Sequence, residues 1–100
     1  MKIKCACGDI IPDQTDYLSY KAHVIGDKNF FDFLDAIDDA IVTDNPDKEF
    51  LMNWIRKLEP GRLAWECLSC GRLYFDGADR NLVEYLPGNK QVNHIFDRER

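Results

Sequence analysis

The sequence predicts an α+β fold, with β-hairpins built from the two ends of the chain and a two-helix insertion between them. Three observations carry this. Short alternating stretches flank two closely spaced cysteine turns, one starting at Cys5 and one at Cys67. From Asp27 the apolar residues recur at helical rather than strand spacing, and this holds to about residue 59. After Pro60-Gly61 the strand-like alternation returns.

The elements follow in order. Met1 to Lys4 and Asp9-Ile10-Ile11 form a small hairpin with Cys5-Ala6-Cys7-Gly8 at its tip, closed by the turn-forming Pro12-Asp13-Gln14. Tyr20 to Ile25 is a further strand ending at Gly26-Asp27. Phe30, Phe33, Leu34, Ile37, Ala40 and Ile41 then make one apolar stripe on a helix, with Asp27 expected as its N-cap. Phe31 lies off that stripe by roughly 100°. A second helix is expected to start at Asn45-Pro46, since asparagine caps and proline suits the first helical position. Its apolar face is Phe50, Leu51, Trp54, Ile55 and Leu58, and Arg56 and Lys57 sit at its negative end. By spacing, Phe30, Phe33, Trp54 and Trp65 are expected in the core, with the helices packed against the hairpins.

The last third reads as β structure. Arg62 to Glu66 leads into Cys67-Leu68-Ser69-Cys70-Gly71, Arg72 to Phe75 leads out, and Leu82 to Leu86 returns after the turn at Asp76-Gly77. The tail, about 89–100, is polar apart from Val92, Ile95 and Phe96, and is expected either to dock by those three residues or to fray. At 100 residues the chain is sized for one domain over 1–100, with the helical insertion at about 27–59. Its 45% hydrophobic and 31% charged composition is that of a globular protein rather than a disordered one.

No apolar run approaches the ~20 residues that span a bilayer, so no membrane role is expected. Met1-Lys2-Ile3-Lys4 has charge but no apolar stretch behind it, unlike a secretory signal. The expected compartment is therefore the cytoplasm, where thiols stay reduced. Four cysteines in two close pairs then point to a metal before a disulfide. Cys67-x-x-Cys70-Gly71 lets both sulfurs face one side of a tight turn, at reach of a metal about 2.3 Å away. Cys5-x-Cys7-Gly8 repeats the layout with one residue fewer, and a tetrahedral site needs two such pairs.

These motifs, CxCG at 5–8 and CxxCG at 67–71, resemble the zinc ribbon class. The resemblance implies two hairpin tips that each lend two thiolates to one structural Zn²⁺, with Cys5, Cys7, Cys67 and Cys70 as ligands. It covers about the first dozen residues and 62–86, and departs from the usual pattern in having CxC at the first tip. Iron is also compatible with four thiolates. His23 or Asp9 could stand in for Cys5 or Cys7, and Cys67 with Cys70 could instead be a redox pair.

The formal net charge is −5. Between Asp27 and Glu49 there are eight acids and two lysines, a net of −6, so the acidity belongs to the helical segment. Such a charge weighs against nucleic acid, whose partners are usually basic. Asp32, Asp35, Asp38 and Asp39 lie on neighbouring helical turns and are the candidate surface for a basic protein partner. No Ser-His-Asp grouping, phosphate loop or dinucleotide motif is present in the sequence, and no enzymatic activity is expected. The expected function is a protein–protein interaction module, one form of which is an antitoxin or immunity protein neutralising a basic enzyme. A transcription-associated zinc ribbon and a thiol redox protein are the alternatives.

Overall fold

The computed structural model describes residues 1–43, 47–58, 60–77, 79 and 81–98. Among them the chain forms two α-helices and two antiparallel sheets, an α+β arrangement. It divides into two compact units, one of Met1–Val24 with Arg62–Arg100 and one of Ile25–Gly61.

In the first unit, β1 (Lys2–Lys4) pairs with β2 (Ile10–Pro12) so that Ile3 faces Ile11. Both isoleucines are buried, while their neighbours on each three-residue strand are exposed. The other sheet has the order β3-β4-β5-β6, from β3 (Lys21–Val24), β4 (Arg62–Glu66), β5 (Leu73–Asp76) and β6 (Leu82–Tyr85). Alternation along β4 and β5 brings Trp65 opposite Tyr74 in the ladder, and both are buried. They form one core with Ile3, Cys5, Ile11 and Cys67, against which Tyr20, Leu63 and Cys70 pack.

Polar contacts fix the hairpin to the sheet within this core. Trp65 donates its indole N–H to Asp13 Oδ2 at 3.1 Å, and Lys21 Nζ lies 2.9 Å from the same oxygen. Tyr20 donates its hydroxyl to the Pro12 carbonyl at 2.6 Å. An indole N–H taken from water needs such a partner.

The tail docks differently from the sequence expectation. Val92 and Phe96 are half-buried, but Ile95 is exposed. The anchor is instead Glu66, 1% exposed, which accepts the Asn93 N–H at 3.0 Å and the Ile95 N–H at 3.2 Å. Backbone amides outweigh apolar side chains here because they satisfy a carboxylate that β4 carries out of water.

In the second unit, α1 spans Asp27–Val42 and α2 spans Lys48–Lys57. Asp27 is the first helical residue of α1 rather than its cap. Gly26 holds the cap position, with no side-chain hydrogen bond, because Asp27 already has helical geometry. The second helix is capped by Asp47, whose Oδ1 accepts the Phe50 N–H at 3.0 Å. The expected cap at Asn45-Pro46 lies outside the described residues.

The helical stripe is also less buried than its spacing suggests. Ala40 is the buried residue of α1, whereas Phe30, Leu34, Ile41, Phe50 and Trp54 are exposed. Phe33, Ile37, Leu51 and Ile55 are half-buried. Two helices within one unit can cover only the strip where they meet, so a wider apolar face stays open.

Candidate metal centre

The two cysteine turns are hairpin tips. At the first, the Cys5 N–H bonds the Asp9 carbonyl at 2.8 Å and the Gly8 N–H bonds the Cys5 carbonyl at 2.9 Å. At the second, Cys67 N–H to Arg72 C=O (2.9 Å) and Gly71 N–H to Cys67 C=O (2.8 Å) repeat the pattern. Each tip closes on a glycine of positive φ, +98° at Gly8 and +85° at Gly71, a conformation unfavourable for side-chain-bearing residues.

These tips bring together the four cysteines that the sequence singled out. Their sulfurs all lie within 4.8 Å of one another. Cys5 Sγ is 3.5 Å from Cys70 Sγ, and Cys7 Sγ is 3.7 Å from Cys67 Sγ. A tetrahedron of thiolates about 2.3 Å from a central metal has edges of about 3.8 Å, so the spacing fits a thiophilic cation. A disulfide needs sulfurs about 2.05 Å apart, and all four cysteines are free thiols. Cys5 and Cys67 are buried in the core, Cys70 is half-buried and Cys7 is exposed. The four could hold a metal ion.

The thiols are electrostatically unequal. Burial works against ionisation of Cys5, but the Tyr74 hydroxyl, the Cys7 amide and the neighbouring thiols bring it down to about 6. Burial dominates at Cys67 and pushes it up to about 12, although the Ser69 and Cys70 amides point at its sulfur. The Asp9 amide favours the Cys7 thiolate, yet the Cys5 sulfur and desolvation leave its thiol raised. Ionisation is thus favoured at Cys5 and resisted at Cys67, chiefly by burial, and at Cys7, chiefly by the Cys5 sulfur, and a divalent cation would offset both costs.

Neither substitute ligand joins the cluster. His23 is an exposed residue of β3 opposite Leu63. The Asp9 carboxylate accepts the Ser69 hydroxyl and the Ile10 N–H, which ties one tip to the other and lowers the Asp9 pKa. Asp32, Asp35, Asp38 and Asp39 are exposed on α1, and no metal-ligating group of acids forms among the described residues.

Three residues beside the sulfurs escaped the sequence reading. Arg72 donates Nη1–H to Cys70 Sγ at 3.2 Å. Tyr74 donates toward Cys5 Sγ at 3.3 Å, and Glu84 accepts from Tyr74 and is ion-paired with Arg72. The available signal was the alternation of Arg72 and Tyr74 just after the second tip. Glu84 could not be found that way, because its place depends on the β5–β6 register.

With this geometry in view, comparison with known proteins gives one result. The chain belongs to the DUF8617 family. That family is described as a domain of unknown function, and its model matches residues 1–99. No curated protein and no solved structure matches the chain. The match names no zinc-ribbon family.

Proposed function

We propose that this DUF8617 chain is a non-enzymatic protein-binding module, held by one structural Zn²⁺ and presenting its helical unit to a basic protein. The observation that supports the metal half is that four sulfurs on two glycine-closed tips lie within 4.8 Å of one another, close enough to share one ion as in a zinc ribbon. Zinc suits four thiolates without any further geometric demand. When bound it supplies a cross-link with no open coordination position, so its contribution is to stability rather than to reaction.

The binding half rests on the helical unit. Phe30, Phe31, Leu34 and Ile41 are exposed on α1, which also carries exposed Asp32, Asp35, Asp38 and Asp39, and Phe50 and Met52 are exposed on α2. Apolar side chains open to solvent among like charges suit an interface whose centre is desolvated and whose rim attracts an opposite charge. A basic enzyme held inactive by such a module, as by an antitoxin or immunity protein, is the specific form proposed.

The test is affinity capture from source-cell extract with wild-type protein and with Asp35→Lys/Asp39→Lys. A basic protein retained by wild type, lost with the variant and released by moderate salt supports the reading. Equal retention by both refutes the acidic surface. Capture of RNA or DNA at physiological salt would favour the nucleic-acid alternative.

A further inference from the structure

The sulfurs of the metal centre differ in what surrounds them, and the difference follows the strand pairing. Arg72 and Tyr74 are two positions apart on one side of the second hairpin's outgoing strand. Glu84 is the ladder partner of Tyr74 on β6. This places a guanidinium, a phenol and a carboxylate in a row beside the sulfurs.

The hydrogen bonds in that row are interdependent. Arg72 donates Nη1–H to Cys70 Sγ at 3.2 Å, and its Nε lies 3.2 Å from Glu84 Oε1 in an ion pair. The Tyr74 oxygen accepts the Ala6 N–H at 3.0 Å. Its single proton faces two acceptors, Glu84 Oε1 at 2.9 Å and Cys5 Sγ at 3.3 Å. The Arg72 guanidinium paired with that carboxylate draws on its charge and weakens it as an acceptor, so the Tyr74 proton can turn to the sulfur. Arg72 thus acts on Cys70 directly and on Cys5 through Glu84 and Tyr74.

We propose that Arg72, Glu84 and Tyr74 form a hydrogen-bonded belt that retains the metal on Cys5 and Cys70 and leaves Cys7 as the first ligand to let go. The proposal rests on the zinc reading above. The charges of Arg72 and Glu84 cancel, so the belt works by aiming donors at sulfur rather than by neutralising the centre. A donor aimed at a coordinated thiolate lowers its tendency to take up a proton or an electrophile. Cys67 is sheltered by burial and by the Ser69 and Cys70 amides. Cys7 is exposed, so water, chelator or alkylating agent reaches it first.

The experiment loads the full chain with zinc and follows transfer to a chromophoric chelator. Arg72→Gln is expected to lose zinc about tenfold faster, the scale of supporting-residue effects at metal sites. Arg72→Lys, which keeps a donor and a charge, should recover part of this. Tyr74→Phe should also accelerate loss, and the double variant should fall short of the product of the two, because the residues share one network. With Co²⁺ in place of zinc, the sulfur-to-metal charge-transfer band of Arg72→Gln should move to lower energy. N-ethylmaleimide on the zinc-loaded wild type should label Cys7 first.

Zinc loss from Arg72→Gln at the wild-type rate would overturn the proposal. So would faster loss with an unmoved cobalt band, since Arg72 would then merely support the strand pair. First labelling at Cys5 or Cys70 would overturn the order of release. A wild-type chain that takes up neither metal would mark failure of the zinc reading itself.

Discussion

Alanine at Gly71 and alanine at Gly8 make a matched pair of perturbations, because the two glycines do the same local work in different surroundings. Both have positive φ, +85° and +98°, so either substitution strains the backbone by about 1–3 kcal/mol. At Gly8 an added Cβ meets nothing within 4 Å. At Gly71 it would stand 2.2 Å from the Gln91 carbonyl oxygen and 2.7 Å from the Gln91 carbonyl carbon. Those are backbone atoms of the tail and cannot swing aside as a side chain can. To admit the methyl group the tail must lift, which breaks the Asn93 and Ile95 amide bonds to Glu66.

Two hydrogen bonds to a charged group are worth roughly 3–6 kcal/mol together. Water returning to Glu66 holds the net loss to the lower end, about 3 kcal/mol beyond the cost at Gly8. For a domain of this size that is a melting temperature about 12–24 °C lower for Gly71→Ala than for Gly8→Ala. Thermal melts of the metal-loaded proteins measure the difference. Hydrogen exchange at the Asn93 and Ile95 amides locates it, with both expected to lose protection in Gly71→Ala alone. Equal melting temperatures for the two variants, or intact protection at those amides, would refute the reasoning.

Two further perturbations test the first unit. Cys67→Ser with Cys70→Ser removes half the proposed ligands, and a structural zinc is worth an apparent ~10–16 kcal/mol in zinc-finger peptides, as much as a small domain's whole stability. The expected result is loss of metal and a red shift of Trp65 emission, and an unchanged melting temperature would contradict a structural metal. Asp13→Asn tests the clamp between hairpin and sheet. The Lys21 ammonium, aided by the Trp65 N–H and opposed by burial, holds the Asp13 carboxyl below the usual carboxylate range. A depressed folded-state pKa contributes stability above the unfolded value of about 3.9, and that contribution is lost as pH falls through the lower value. Wild type should therefore exceed Asp13→Asn in melting temperature at pH 6–7, and the gap should close below about pH 4. A gap independent of pH would mean that the charge on Asp13 does not matter.

The strands and the cysteine tips were legible because their signals are local. Alternation around Cys5-x-Cys7-Gly8 and Cys67-x-x-Cys70-Gly71 determines both hairpins, and two incomplete ligand pairs imply each other. The parts that escaped depend on contacts far apart in sequence. Glu66 reads as an ordinary strand residue until the tail folds back to it, 27 and 29 residues on. Tyr74 reads only as part of the strand leading out of the second tip, and its hydroxyl acquires a role from the tip that Ala6 brings to it. The helical stripe misled for a related reason. Period 3.6 specifies which residues share a face, and says nothing of whether the chain supplies enough surface to cover it. Asp47, which caps α2, was passed over in the sequence although aspartate caps as well as asparagine.

The register of β3 and β4 separates the role proposed for the metal from the role proposed for the helices. Val24 and Arg62 are ladder partners, so the chain leaves the sheet and rejoins it at one rung. The core residues Ile3, Cys5, Ile11, Trp65, Cys67 and Tyr74 all lie outside the stretch from Ile25 to Gly61. The cysteine tips, the Asp13 clamp and the Glu66 anchor lie outside it too. A two-residue Asn-Gly turn is the natural closure for antiparallel neighbours of this kind. Replacing residues 25–61 with Asn-Gly should therefore give a chain that still takes up one zinc and still buries Trp65. The same chain should capture no basic partner, because the exposed aromatic residues and acids of α1 and α2 are gone. Zinc content, tryptophan emission and affinity capture on that one variant read the two halves independently. If it bound no metal, the first unit would not be self-sufficient and the helices would belong to its folding rather than to recognition.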